Sequence, residues 1–196
     1  MDRKKISASA WFMYIAIALT LVIALIGFTL YYTKILYSEI ILWVSITCFT
    51  IAYHLGVRIV FGLITEKLRI NYNAWWFKER AYEKKLYAFL RVKKWKGKVL
   101  TFKPENFSLK GNSLEQIASA MSKAEVDHWI NLLISLSTLT FALLWGGFWI
   151  FFATAVFAMI FDSQFIIVQR FNRPKVLKLI KRRSEINERN NRNHNS

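Results

Sequence analysis

The chain has 196 residues, 55% of them hydrophobic and 16% aromatic, yet it carries 28 Lys+Arg against 12 Asp+Glu, a formal net charge of +16. A mean hydropathy of +0.26 beside that charge requires apolar and basic residues to lie in separate blocks. That pattern argues against a soluble enzyme or a free nucleic-acid binder and points to a multi-spanning membrane protein. The one cysteine, Cys48, sits in an apolar run and excludes both a disulfide framework and a cysteine zinc site.

Ile6 to Thr33 contains no charge. It exceeds the ~20 residues that cross a bilayer, so span 1 is placed at Trp11–Leu30, preceded by Arg3, Lys4 and Lys5. The stretch is too long for a signal peptide, and no small-residue cleavage site follows it. Span 2 is placed at Ile40–Phe61, with His54 and Arg58 near its end. The short connection makes the two spans an antiparallel hairpin.

Residues 74–95 alternate aromatic and basic groups. At 100° per residue, Trp75, Tyr82, Leu86, Phe89 and Leu90 share one face, and Arg80, Lys84 and Arg91 the opposite one. This predicts an interfacial amphipathic helix. Ser113–Lys123 reads as a short amphipathic helix with Ser113 as its N-cap.

Trp129 to Phe161 is the third uncharged stretch, continued past Asp162 to Val168. One helix over Trp129–Val168 would be ~60 Å long, about twice the hydrocarbon core. It is therefore expected to fold back at Gly146-Gly147, giving span 3 at Trp129–Trp145 and span 4 at Phe148–Val168. Pro174 is expected to start a last basic helix to Arg183, and Asn187–Ser196 to be disordered.

The expected fold class is an all-α integral membrane protein: four transmembrane helices in two hairpins plus a cytoplasmic interfacial helix. Its parts are an N-terminal hairpin (1–64), a basic loop (65–127), a second hairpin (128–169) and a basic tail (170–196). The residues before span 1, the loop and the tail carry net charges of +2, +7 and +7, the whole of the excess. By the positive-inside rule both termini and the loop are cytoplasmic.

Function has to be sought in polar groups that a bilayer tolerates poorly, because the sequence holds no phosphate-binding glycine loop, nucleophile-elbow serine or His-Glu-x-x-His zinc motif. Glu125 and His128 are three apart and can share a helical face, where a carboxylate would orient an imidazole for general-base work. The alternative is a solvated helix start. A lone imidazole makes a metal site a poor fit. His54 and Arg58 are four apart on span 2, either binding a polar headgroup or, for Arg58, snorkelling to the interface. Asp162 is an intramembrane carboxylate, a candidate site or a partner for Arg58 or His54. Gln169, Arg170, Asn172 and Arg173, followed by Pro174, leave span 4, where the two arginines could grip phosphate or act as an orientation signal.

These segments carry a family resemblance. Arg91-Val92-Lys93-Lys94-Trp95-Lys96, the run Ala124-Glu125-x-x-His128-Trp129, and Ile166-Ile167-Val168-Gln169-Arg170-Phe171-Asn172-Arg173-Pro174 resemble, in order and spacing, motifs of the glycosyl-4,4'-diaponeurosporenoate acyltransferase family. The resemblance covers about residues 73–183. It implies a small membrane enzyme that moves a fatty acyl group onto a sugar hydroxyl of a membrane-embedded glycosylated carotenoid. Span 1 is additional to the shorter arrangement associated with the family. On this reading His128, oriented by Glu125, is the base. Arg170 and Arg173, with lysines such as Lys93, Lys94 and Lys96, hold donor phosphates or an oxyanion. Gln169, Asn172, Asp162, Arg58, His54, Trp95 and Lys96 complete the substrate site. No bound cofactor or metal is expected. The co-substrate would be an acyl thioester of coenzyme A or acyl carrier protein, and the acceptor a membrane lipid or glycolipid. A non-enzymatic scaffold that binds anionic lipid is the alternative, and nucleic acid is not an expected partner.

Overall fold

The computed structural model describes residues 8–99 and 104–194, and the basic run Arg3–Lys5 lies outside them. In chain order the helices are α1 (Ala8–Tyr32), α2 (Glu39–Glu66), α3 (Ala81–Phe89), α4 (Val92–Trp95), α5 (Leu114–Ser137), α6 (Ala142–Trp145) and α7 (Phe148–His194). Short 3-10 turns occupy Trp75–Phe77, Lys96–Lys98, Pro104–Phe107 and Thr138–Phe141. There is no strand among the described residues. Among the described residues, four stretches are long and apolar enough to cross a membrane: Trp11–Tyr32, Glu39–Glu66, Leu114–Trp145 and Phe148–Asn193.

The expected pair of hairpins is present. α1 packs on α2, α5 on α7, and α2 on α5 joins the two pairs. α1 offers few groups to its partner. Ala24 is buried, while Phe12, Ile15, Leu19 and Leu25 are exposed. Exposed apolar side chains of this size suit lipid rather than water. The close approach is made by small residues: a Cβ added to Gly27 would meet the Ser45 hydroxyl and lie 3.3 Å from its Cβ. Small residues allow membrane helices to approach closely where no hydrophobic drive joins them. At the end of the bundle that carries the Gly146-Gly147 turn, Phe28 stacks on Trp145 at 5.4 Å, and the Trp145 indole donates to the Tyr32 hydroxyl at 3.1 Å. The opposite, basic end carries residues 67–99 and 104–113.

Several boundaries differ from the sequence reading. Ser113 does cap a helix, with a full capping box to Gln116. That helix does not stop at Lys123, however; it runs on as α5 and includes the first turns expected of span 3. The boundary at 127/128 therefore falls inside a helix, because nothing in Lys123–Trp129 breaks one. α5 gives way to a 3-10 turn where Ser137, Thr138 and Thr140 bond back to carbonyls three residues earlier, which tightens the backbone. α7 passes through Pro174 as one helix of 47 residues, ~70 Å at 1.5 Å per residue. Pro174 removes only one backbone donor, and the two arginines before it are anchored on both sides of the chain, as described below. The Asn-rich end is helical to His194 rather than disordered.

The single amphipathic helix expected over 74–95 is instead a 3-10 turn, α3 and α4. Arg91 breaks the run in the left-handed conformation (φ 50°). The expected aromatic face is turned away from the protein, with Trp75 and Tyr82 each 66% and Phe89 83% exposed. The opposing side buries Phe77, Glu83, Tyr87 and Val92.

The close approach at Gly27 predicts that Gly27→Val lowers the thermal midpoint of the detergent-solubilised protein by several degrees. Gly62→Ala, whose new methyl would meet nothing within 4 Å, is expected to leave it unchanged or raise it. Both are read from thermal denaturation of the full chain.

Candidate functional site

Two ionic clusters lie one above the other along α7. The first is built on Arg170 and Arg173. Arg170 donates to Glu125 Oε1 at 2.6 Å and, through Nε and Nη2, to Glu83 Oε1 at 3.0 and 2.5 Å. It also reaches the carbonyls of Trp76 and Lys78, both at 3.2 Å. Arg173 donates to Glu125 Oε2 at 2.6 Å, the Phe77 carbonyl at 3.0 Å and the Ser122 hydroxyl at 3.3 Å. Its guanidinium lies 4.7 Å from the Phe77 ring centroid. The Tyr87 phenol donates to Glu83 Oε2 at 2.6 Å. Burial, then that bond, pushes the phenol well above its ordinary pKa. Glu125 is 0%, Arg173 1% and Glu83 3% exposed. Two positive and two negative charges thus neutralise each other out of water, with backbone carbonyls taking up further guanidinium donors.

This arrangement corrects two expectations. Glu125 does not orient His128; it serves both arginines. Arg170 and Arg173 are not open to a phosphate, since carboxylates and carbonyls already hold them. The sequence reading missed Glu83, which sits among Lys84 and Lys85 in a stretch that reads as a solvated basic face. Its one signal is Tyr87, four residues on.

The second cluster centres on Asp162, 1% exposed. Its Oδ2 accepts from Arg58 Nη2 at 2.6 Å. Oδ1 lies 2.8 Å from His128 Nδ1 and accepts from Asn131 Nδ2 at 3.2 Å. Phe165 stacks flat on the His128 ring, 4.3 Å between centroids and 5° from parallel. An ionised Asp162 favours a proton on Nδ1 and leaves Nε2 as an acceptor. Asp162 therefore takes the orienting role that the sequence suggested for Glu125, and the expected Asp162–Arg58 pair is present. Arg58 Nε is buried with no hydrogen-bond partner among the described residues. Asn131 and Phe165 were not singled out from the sequence, because their roles exist only once α5 and α7 are packed.

His54 forms no salt bridge among the described residues. Its ring meets Tyr53 edge-on, and it lines a largely apolar groove together with Arg58. The Gln169 side chain makes no hydrogen bond among the described residues. Further along α7, Lys96 Nζ donates to Asn172 Oδ1 at 2.9 Å. The ammonium groups of Lys96 and Lys175 lie 5.1 and 3.9 Å from the Phe171 ring centroid. Neither lysine forms an ion pair with a carboxylate among the described residues. Trp95 donates its indole N–H to the Leu90 carbonyl at 2.9 Å, which closes the break between α3 and α4. No group of three or more His, Cys, Asp or Glu side chains that could hold a metal ion occurs among the described residues.

Removing one partner of a fully buried pair strands the other charge, at ~3–5 kcal/mol. Glu125→Ala is therefore expected to abolish recovery of monodisperse protein from membranes. Asp162→Asn, which keeps a polar group against His128 and Arg58, whose side chains are 21% and 25% exposed, is expected to permit it. Size-exclusion chromatography in detergent distinguishes the two.

The residues brought together here come from segments that are scattered between 58 and 175. Comparison with known proteins covers most of them. No curated protein and no solved structure matches the chain. A family model described as glycosyl-4,4'-diaponeurosporenoate acyltransferase matches residues 73–182, more than half of the chain and all of both clusters except Arg58. The chain belongs to the glycosyl-4,4'-diaponeurosporenoate acyltransferase family.

Proposed function

We propose that the protein is a membrane acyltransferase that moves a fatty acyl group from a thioester onto a hydroxyl of a membrane-embedded glycolipid, a glycosylated carotenoid by its family. The observation that carries this reading is the Asp162–His128 pair. A buried carboxylate holds an imidazole through Nδ1 and leaves Nε2 to accept the proton of an attacking hydroxyl. The acceptor oxygen loses its proton to Nε2 and forms a bond to the thioester carbonyl carbon. The carbon–sulfur bond then breaks, and the thiolate takes that proton. The Arg58 guanidinium, a quarter exposed where it meets Asp162, is the proposed donor to the carbonyl oxygen as negative charge develops there.

The donor's phosphates are assigned to Lys96, Lys175 and Asn172 in place of the two arginines. These groups lie ~15 Å beyond Asp162 along α7 at 1.5 Å per residue. That separation suits a donor whose phosphates and thioester are joined by a long arm, as in coenzyme A or acyl carrier protein. The exposed Trp75, Tyr82 and Phe89 face is suited to the membrane interface, where the acceptor's sugar would lie. The site is placed on the cytoplasmic side of a bacterial plasma membrane, the side on which the basic segments would be retained and the thioester donor supplied.

General-base catalysis contributes ~10²–10⁴-fold. His128→Ala is expected to lower transfer by that factor, and Asp162→Asn to lower kcat with little change in KM for either substrate. The measurement is acyl transfer by the full chain in vesicles containing lipid extract from a deletion strain. Mass spectrometry of that strain is expected to show loss of an acylated glycolipid and accumulation of its unacylated precursor. A His128→Ala protein with near-normal rate would overturn the assignment of the base.

A further inference from the structure

Between α2 and α7 runs a groove of about 380 Å³. Its α2 wall is a stripe at helical spacing: Trp43, Thr47, Ile51, His54 and Arg58. Its α7 wall carries Ile150, Thr154 and Ala158 at intervals of four, and the next residue on that stripe is Asp162. Both walls thus end on a charge, and the two charges are the ion pair at 2.6 Å that holds His128 in place.

The groove is more apolar than its sequence suggests. The hydroxyls of Thr47, Thr50 and Thr154 each bond to a carbonyl four residues back on their own helix, at 2.8, 2.8 and 3.0 Å. They therefore place no free donor in the space. Trp43 stands at the end away from Arg58, its indole so near the Gly146-Gly147 turn that a Cβ on Gly147 would lie 2.5 Å from it.

We propose that this groove is an acyl-chain ruler: it takes the donor's single fatty chain, with the thioester carbonyl at the Arg58–Asp162 end and the methyl terminus against Trp43. The proposal rests on the acyltransfer reading above and adds the substrate's chain and its limit. From Trp43 to Arg58 the helix rises ~22 Å, and a chain extended at ~1.3 Å per carbon spans that with ~17 carbons. That length describes one medium-to-long fatty chain, and the bulky acceptor of a glycosylated carotenoid exceeds it. The polar end also fits an acyl group better than a bilayer tail, because it places the carbonyl, and nothing else of the chain, beside Arg58, whose ion-pair partner Asp162 also meets His128.

The full-length protein in vesicles is given an equimolar mixture of C10 to C18 acyl-coenzyme A thioesters with deletion-strain lipid extract, and products are sorted by mass. Ala158→Phe and, on the exposed α2 wall, Ile51→Trp are expected to shift the preferred chain shorter by several carbons. Trp43→Ala is expected to shift it longer. An unchanged acyl distribution in folded variants overturns the ruler, whether the groove instead takes a bilayer tail or the acceptor. A changed acceptor preference with the same acyl distribution assigns the groove to the acceptor and also overturns it. A second measurement does not depend on turnover: a diazirine-bearing palmitoyl-coenzyme A is photo-crosslinked to the wild-type protein. Labelling of α2 and α7 groove peptides, competed by C16 but not by C8 thioester, is expected. If wild-type protein transfers nothing yet is labelled in this way, the acyltransfer reading fails and the chain site stands. If it transfers normally but is labelled elsewhere, the chain site fails and the acyltransfer reading stands.

Discussion

The buried pairing of Arg170 and Arg173 with Glu83 and Glu125 is the constraint on which the rest of the basic end depends. Charges removed from water have to be matched and hydrogen-bonded to be tolerated. Here the match draws on three separate elements. α7 supplies the arginines, α5 supplies Glu125, and α3 supplies Glu83. The carbonyls of Trp76, Phe77 and Lys78 complete the set and fix the short segment leading into α3. The segment between the hairpins is thereby pinned to α7, although much of its own surface is basic and exposed.

That clamp also sets the register of α5 against α7. Glu125 and His128 are adjacent on α5, while Arg170, Arg173 and Asp162 follow one another on α7. Once Glu125 meets the arginines, His128 lies beside Asp162, about one α5 turn and two α7 turns further into the bundle. α2 contributes Arg58 to the same carboxylate, so the second cluster ties the two hairpins together. The two clusters differ in exposure: Glu125 and Arg173 are almost fully buried, whereas the deeper cluster keeps an imidazole whose side chain is 21% exposed beside Asp162.

The same geometry links chemistry to the membrane. The stripes of α2 and α7 that line the groove end at Arg58 and Asp162, and α7 continues past them to Asn172 and Lys175. One helix thus runs beside an apolar space, then the Asp162–His128 pair, then Asn172 and Lys175. That order matches the order of parts in an acyl thioester donor: fatty chain, carbonyl, phosphates.

Much of the fold was legible in the sequence because long uncharged runs and the Gly146-Gly147 turn report directly on helices that must satisfy their backbones internally. The pairing into two hairpins follows from the short connections, the Ser113 cap from its place before an amphipathic run, and the choice of Glu125, His128, Asp162, Arg170 and Arg173 as costly groups from the expense of polar side chains near a bilayer. Partner choice does not follow from sequence. Spacing put Glu125 within reach of His128, but it could not show that two arginines 45 and 48 residues later would reach Glu125. Nor could it show that Asp162 would replace Glu125 as the orienting carboxylate. Glu83 was hidden for the same reason, since a carboxylate among lysines looks solvated until a helix packs on it. The sequence by itself determined which segments cross and which residues are costly. Only the tertiary structure decided which charge meets which, because an ion pair depends on the register between helices, and that register is fixed by packing between segments distant in the chain.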